Sequence, residues 1–121
     1  MSRIRLTLAA LVAGAVLVTV PVSLASSAAK TLTGVVGPGF TITLKQGTKK
    51  VTSLKAGKYM LKVVDKSNIH NFHITGPGLN KVVTSTPFVG SKTISITLKA
   101  GTYRYVCDPH KTLMKGSFKV S

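Results

Sequence analysis

One short segment near the end of the chain contains three side chains that bind soft metal ions. Cys107, His110 and Met114 occur within eight residues, and Cys107 is the only cysteine in the sequence. Pro109 lies between them, and because proline lacks the N–H that a strand interior requires, we expect a strand to end near Cys107. A loop would follow, and a loop can direct all three side chains towards one point.

A second histidine ligand would have to come from a distant segment, where two candidates lie close together. His70 and His73 both fall within a short run, Ile69 to Thr75, that we interpret as a strand. Successive side chains of a strand point to opposite faces, so residues three apart cannot both reach one metal ion from a regular strand. The spacing alone leaves open which histidine is the ligand, and the other would face the surface or a partner.

Cysteine, two histidines and a methionine together favour copper. Soft sulfur ligands select against hard cations, and a trigonal site of two histidines and one cysteine with a distant methionine is typical of electron-transfer copper centres. Zinc also binds sulfur and nitrogen, but structural zinc sites use closed sets of Cys and His without Met. The alternatives are ordinary ones: Cys107 as a buried inert thiol, Met114 as core packing, and His110 as a surface histidine.

The elements that must position these side chains are predicted to be strands. Apolar and polar residues alternate with period two, and turn residues recur roughly every eight to twelve positions, as in a sandwich or barrel. We find no amphipathic helical stripe. The expected strands are Phe40–Leu44, continuing through a hairpin to Val51, then Tyr59–Val64, Ile69–Thr75, Ile94–Leu98, Tyr103–Cys107 and Ser117–Val120.

Two similar hexapeptides lie 44 residues apart in this region. Leu54 to Tyr59 reads LKAGKY, and Leu98 to Tyr103 reads LKAGTY. In both, glycine permits a tight turn and tyrosine begins the next strand. We expect two equivalent corners of one sandwich, each joining paired strands.

The N-terminal segment has the layout of a secretory signal peptide. Arg3 and Arg5 precede 24 uncharged residues, and small residues follow Pro21. Cleavage is expected after Ala25 or Ala29. The alternative is retention as a membrane anchor, since about 20 apolar residues can span a bilayer. Residues 1–29 are therefore predicted to be the signal and residues 30–121 a single domain outside the cytoplasm, periplasmic, secreted or attached to the cell surface.

The charge is strongly one-sided, with 17 Lys and Arg against two Asp and no Glu, for a net charge of +15. For an exported protein, this favours an acidic protein partner or an anionic membrane or cell-wall surface over nucleic acid. The alternative is that lysines on the solvent faces only keep the domain soluble.

Most enzyme classes are excluded because the sequence contains few side chains that could act in catalysis. The three histidines form no His-x-His pair, a single cysteine cannot build a binuclear copper site, and Asp65 and Asp108 are the only carboxylate side chains. No phosphate-binding glycine loop of known spacing occurs. The chain is predicted not to be an enzyme.

With these motifs in place, the sequence resembles the small blue copper proteins of the cupredoxin family, which includes plastocyanin, pseudoazurin and amicyanin. The resemblance spans residues 32–120 and rests on His70-Asn71, Cys107-x-Pro109-His110 and Met114 before the last strand. It implies a Greek-key β-sandwich of the cupredoxin type that binds one type 1 copper ion. His70, Cys107 and His110 would be the equatorial ligands and Met114 the axial one.

The resemblance also implies roles for residues around the ligands. Asn71 would join the histidine segment to the cysteine loop by hydrogen bonds. The residues themselves suggest that Asp108, which precedes Pro109, caps a turn of that loop through its own side chain. Two features depart from the family pattern. Three residues separate His110 from Met114, a loop length that varies among relatives, and Asp108 occupies a position that is often Ser or Thr. A carboxylate there should favour Cu(II) and lower the reduction potential.

These observations predict an exported monomer that transfers single electrons by cycling between Cu(I) and Cu(II). Electrons would pass at the edge of His110, where an acidic redox protein would dock, and low salt would speed the exchange. Two alternatives stay open. The same ligands would serve a protein that carries or sequesters copper, and a sandwich without metal could adhere to anionic surfaces through its lysines.

Overall fold

The computed structural model describes residues 9–22 and 29–121. Residues 9–22 are exposed and have no regular secondary structure. The predicted signal peptide falls partly on residues 1–8 and 23–28, which lie outside the described residues, so its cleavage stays a prediction. Within the described residues, no helix is long and apolar enough to cross a membrane.

Ten strands form the domain in the described part of the chain. In order, they are β1 (Lys30–Val36), β2 (Ile42–Gln46), β3 (Lys49–Lys50), β4 (Ser53–Leu54), β5 (Gly57–Asp65), β6 (Phe72–Gly76), β7 (Leu79–Thr84), β8 (Gly90–Leu98), β9 (Gly101–Val106) and β10 (Lys115–Val120). A single 3₁₀ turn, Asp108–His110, lies between β9 and β10.

The strands are divided between two five-stranded sheets. The first sheet has the order β3-β2-β1-β5-β8, and the second has the order β4-β10-β9-β6-β7. β1 runs parallel to β5, with Leu32 opposite Leu61, whereas β9 lies antiparallel between β6 and β10. The predicted all-β sandwich is confirmed.

The inward-facing side chains of both sheets form one main core. Its aromatic residues stack in pairs: Phe72 lies 5.8 Å from Tyr105, and Tyr103 lies 5.4 Å from Phe118, between ring centroids. Offset aromatic pairs at such distances contribute more than their buried area alone. A second, smaller buried cluster of Val36, Cys107 and Met114 lies apart from this core.

Two of the predicted strand starts fall in turns. Phe40 lies outside β2, because the N–H of Gly37 bonds the carbonyl of Thr41 at 2.9 Å and closes a loop across it. His70 does not begin a strand, because β6 starts at Phe72. Neither β1 nor β7 was predicted as a separate strand.

The two similar hexapeptides form corners, but not between paired strands as predicted. One connects β4 of the second sheet to β5 of the first, and the other connects β8 of the first sheet to β9 of the second. Their glycines, Gly57 and Gly101, have φ of 147° and 142°, a conformation that other residues rarely adopt. The repeated motif therefore marks where the chain crosses from one sheet to the other.

The tyrosines of these corners are bonded differently. The N–H of Lys99 donates to the hydroxyl of Tyr103 at 3.0 Å, and that hydroxyl donates to the carbonyl of Pro77 at 2.7 Å. Tyr59 makes one hydroxyl bond, to the carbonyl of Lys55 at 2.6 Å. Tyr103 thus ties its corner to a separate turn, whereas Tyr59 bonds only within its own corner.

The substitution Tyr103→Phe should lower the free energy of unfolding by about 1–3 kcal/mol, because it removes both bonds of the buried Tyr103 hydroxyl and leaves an N–H and a carbonyl of a partly buried corner without their partner. Tyr59→Phe is the matched control and should cost about 1 kcal/mol, since only one local bond is lost. Urea denaturation of the three proteins measures both values. A loss in Tyr103→Phe no larger than in Tyr59→Phe would contradict this account of the corner.

Candidate metal centre

Three potential ligand atoms converge in the structure. The sulfur of Cys107 lies 3.7 Å from Nδ1 of His70 and 3.6 Å from Nδ1 of His110, and the two nitrogens are 3.1 Å apart. Cys107 and His70 are fully buried, and His110 is partly exposed. Among the described residues, these three form the one group of His, Cys, Asp or Glu side chains placed to hold a metal ion.

The separations of these atoms fit a trigonal metal site. A point equidistant from three atoms at such separations lies about 2 Å from each, which is the usual length of a bond from a metal to imidazole nitrogen. Two nitrogens and one sulfur in a trigonal arrangement are the equatorial donors of an electron-transfer copper site. The donor set therefore fits copper both in chemistry and in size.

The loop after β9 supplies two of these ligands and places Met114 beside them. It is closed at its base by the N–H of Cys107, which donates to the carbonyl of Met114 at 3.0 Å. Within it, the N–H groups of His110 and Met114 bond the carbonyls of Cys107 and His110 at 3.0 and 2.8 Å. Met114 is fully buried in the cluster that contains Cys107. The predicted loop after Cys107 is present, and it brings His110 to the Cys107 sulfur and packs Met114 in the cluster that contains Cys107.

His70 is positioned by a turn between β5 and β6. Oδ1 of Asp65 accepts the N–H of Ser67 at 3.2 Å, and the carbonyl of Ser67 accepts the N–H of His70 at 3.4 Å. The ring is oriented by its second nitrogen, because Nε2 lies 2.9 Å from the carbonyl oxygen of Gly39 and must donate to it. This bond leaves the lone pair of Nδ1 directed at the site, as in other metal-binding histidines.

The loop Gly37–Thr41 covers the site, and the sequence analysis did not identify it. Besides the carbonyl of Gly39, it places Phe40 edge-on to His110, with ring centroids 4.8 Å apart, and also edge-on to His70 at 5.6 Å. Phe40 is more than half exposed. The Gly-Pro-Gly run before Phe40 signals a turn, but nothing in the sequence shows that this turn reaches His70.

Asn71 joins the two halves of the site. Its side-chain amide donates to Oδ2 of Asp108 at 2.7 Å, and its side-chain oxygen accepts the N–H of Asp108, also at 2.7 Å. Its own backbone N–H points at the sulfur of Cys107 at 3.5 Å. One residue thus bonds the side chain and backbone of the cysteine loop and approaches its sulfur.

His73 lies on the other side of this bridge, and its contacts were not predicted. Its Nδ1 is 3.0 Å from Oδ2 of Asp108, and its Nε2 is 2.6 Å from the side-chain oxygen of Asn80. Because both ring nitrogens face acceptors, the arrangement favours the protonated imidazolium. His73 is therefore neither a member of the metal group nor a free surface histidine.

The pKa directions agree with an ion pair. Burial acts to raise the pKa of Asp108, but the hydrogen bonds from Asn71 and His73 and the nearby positive charges outweigh it, so that pKa is lowered. For His73, burial acts to lower the pKa, but the bonds to Asn80 and Asp108 outweigh it, so that pKa is raised. Both groups are thus favoured in their charged forms.

Comparisons with known proteins agree with this geometry. A sequence model of copper-binding proteins of the plastocyanin/azurin family matches residues 41–121. Reduced rusticyanin superposes with a TM-score of 0.55 at 24% identity, over 78% of this chain and 82% of rusticyanin. Rusticyanin from Thiobacillus ferrooxidans gives a TM-score of 0.52 at 25% identity, over 78% and 79% of the two chains. No curated protein sequence matches this chain significantly.

Gly37→Ala should disturb the site, whereas Gly47→Ala should not. Both glycines have positive φ, 74° and 60°, so alanine should cost each protein about 1–2 kcal/mol of stability. At position 37, the new Cβ would lie 3.0 Å from Cδ2 of His70. At position 47, the new Cβ would have no heavy atom within 4 Å. We expect Gly37→Ala alone to shift the ring nitrogen resonances of His70 and to weaken copper binding about tenfold or more.

Nitrogen NMR of the protein without metal and copper titration provide the two measurements. Equal effects in the two variants would show that backbone strain, not the contact with His70, determines the outcome.

Proposed function

The chain belongs to the plastocyanin/azurin family of copper-binding proteins, and we propose that it is an exported type 1 copper protein that transfers single electrons. The copper cofactor follows from the family and from the group of His70, Cys107 and His110. The observation that carries the proposal is the trigonal arrangement of two imidazole nitrogens and one sulfur, 3.1–3.7 Å apart. The resemblance stated from the sequence is confirmed by the family match.

Each ligand has a proposed role. His70, Cys107 and His110 would provide the equatorial donors and Met114 the axial sulfur, which is the ligand set of blue copper sites. Copper bound there supplies a one-electron couple between Cu(I) and Cu(II). The chain itself holds both imidazoles and the sulfur in place through backbone and side-chain bonds to Gly39, Asn71 and the Cys107–Met114 loop. Ligands held this way need little rearrangement when the metal changes its charge.

His110 is the proposed route for electrons between the site and a partner. Of the two histidines, it alone is partly exposed; Phe40 packs edge-on to it, and the N–H of Leu113, whose side chain is largely exposed, bonds its carbonyl at 3.0 Å. An apolar rim of this kind allows a redox protein to approach the imidazole edge closely. The chain's positive charge would steer acidic partners towards it and mainly raise the encounter rate.

The proposed location outside the cytoplasm is supported by the sequence of residues 1–29, with its two arginines, long uncharged stretch and small residues at the predicted cleavage positions. A soft sulfur site with one unpaired cysteine is also consistent with export, because metal ligation gives the thiol a role in an oxidising environment. We infer a monomer in which residues 30–121 form the copper domain.

Addition of Cu(II) to the purified protein should produce an intense absorption band in the red region, arising from the bond between the Cys107 sulfur and copper. Cys107→Ala should abolish the band, and a reductant should bleach it reversibly. Met114→Leu is the matched comparison: it removes the axial sulfur from a buried position of similar volume, so the band should persist. Visible spectroscopy during a redox titration is the measurement.

The same experiment distinguishes electron transfer from the alternative function, copper carriage. Copper that binds to the wild-type protein without the red band, or that passes rapidly to a competing chelator and shows no reversible reduction, would overturn the electron-transfer proposal in favour of carriage. Absence of copper binding would overturn both.

The negative charge of Asp108 should lower the reduction potential. Asp108→Asn keeps the shape of the side chain and Asp108→Ser restores a hydroxyl residue common in the family, and both remove a charge beside the Cys107 sulfur. We expect both variants to raise the potential by some tens of millivolts, where about 59 mV is a tenfold change in the equilibrium constant for one electron. Protein-film voltammetry provides the measurement, and an unchanged or lower potential in both variants would exclude the effect.

A further inference from the structure

We propose that a cationic groove on the outer face of the second sheet is the docking surface for an acidic segment of the redox partner. The cationic groove is formed by β9, β10 and the loop between them, and it is lined by Arg104, Val106, Lys111, Lys115, Gly116 and Ser117. This inference rests on the proposed electron-transfer function and adds the place and the chemistry of docking. It separates the docking surface from the apolar rim around His110.

The strand register explains how the groove is built. Arg104 lies opposite Ser117, and Val106 lies opposite Lys115, so that all four side chains point away from the core. Tyr105, which lies between Arg104 and Val106, and Phe118, which follows Ser117, face the core and are buried. The groove has a volume of about 510 Å³, which is enough to receive several side chains of another protein.

The chain itself neutralises little of the groove's positive charge, because of its cations only Lys111 acts on a carboxylate, that of Asp108. The whole sequence contains two acidic residues, of which Asp65 is buried and Asp108 is bonded by Asn71 and His73. Within the described residues, the one ion pair found is between His73 and Asp108, so none involves Lys or Arg. A complementary occupant must therefore bring its own negative charges.

The groove begins at the metal-binding loop. Lys111 follows His110 directly, and Lys115 follows Met114 directly, so two of its cations are neighbours in sequence of proposed copper ligands. A partner segment held in the groove would be anchored beside the loop that carries His110. Docking there would bring the body of the partner to the histidine edge without covering that edge with charge.

The spacing of the cations favours an extended acidic protein segment. Lys115 and Ser117, which lies opposite Arg104, are two residues apart on β10, so the Lys115 and Arg104 positions are separated by about 6.6 Å along the strand direction. Alternate carboxylates of an extended chain repeat at about the same interval. The concave shape and the apolar floor at Val106 suit such a segment better than the plane of a membrane surface.

The test uses the full-length protein loaded with Cu(I) and a blocked octaglutamate peptide as the probe. At low ionic strength, the peptide should shift the amide NMR resonances of β9, β10 and the Lys111–Lys115 loop. Arg104→Gln combined with Lys115→Gln should weaken binding about threefold to tenfold, as expected for two exposed ion pairs. Lys45→Gln combined with Lys62→Gln is the matched control, since both lysines are exposed on the first sheet. The control should weaken binding less than twofold.

Each other outcome would overturn the proposal. Equal weakening in the two double variants would show that net charge alone attracts the peptide. Inorganic phosphate that displaces the peptide at equal carboxylate and phosphate concentrations would show a small-anion site. If the peptide does not bind, but phosphatidylglycerol vesicles bind and this binding requires Arg104 and Lys115, the groove is a membrane-binding surface. The red copper band of each Cu(II)-loaded variant is recorded separately, so a failed copper site is distinguished from a failed docking surface.

Discussion

The pair of hydrogen bonds between Asn71 and Asp108 is the constraint on which the copper site depends. The site is assembled from two segments, around His70 and Cys107, that are 37 residues apart in sequence. Two imidazoles and a sulfur atom have no strong attraction for one another before a metal binds, so the chain must hold them together. The two 2.7 Å bonds do so, and one of them involves a carboxylate, which makes it stronger than a bond between neutral groups. The 3.5 Å contact of the Asn71 N–H with the Cys107 sulfur completes this connection.

The sandwich makes this connection possible by placing both segments at the same edge of one sheet. β6 and β9 are antiparallel neighbours, with His73 opposite Val106, so the residues before β6 and those after β9 meet at that edge. The first sheet contributes the Gly37–Thr41 loop, whose Gly39 carbonyl orients His70. The proposed copper site therefore depends on both sheets, because its ligands lie in the segments that precede β6 and follow β9 and the orientation of His70 comes from the first sheet.

The features that could be predicted from the sequence are those encoded by residues close together in the chain. The period-two pattern indicates strands, and Cys107, His110 and Met114 lie within one loop interrupted by Pro109. The remaining features depend on contacts between distant segments. The start of β6 depends on the turn at Asp65 and Ser67, the cover over His70 depends on a loop from the other sheet, and the sheet-crossing corners depend on which strands pair. Strand alternation is not what separates His70 from His73, since His70 lies in a turn before β6.

One of the two acidic residues of the chain, Asp108, lies beside the metal site and is held there by specific partners. A hydroxyl at this position would bond Asn71 without introducing charge, whereas the exposed carboxylate of Asp108 bonds Asn71 and also takes a second partner. His73 is that partner, with a favoured positive charge, supported on its other nitrogen by Asn80. Asn71 and His73 bond the Asp108 carboxylate, and within the described residues Arg104 and Lys115 form no ion pair with it. The same pairing that stabilises the cysteine loop therefore leaves the adjacent groove free to attract an acidic partner.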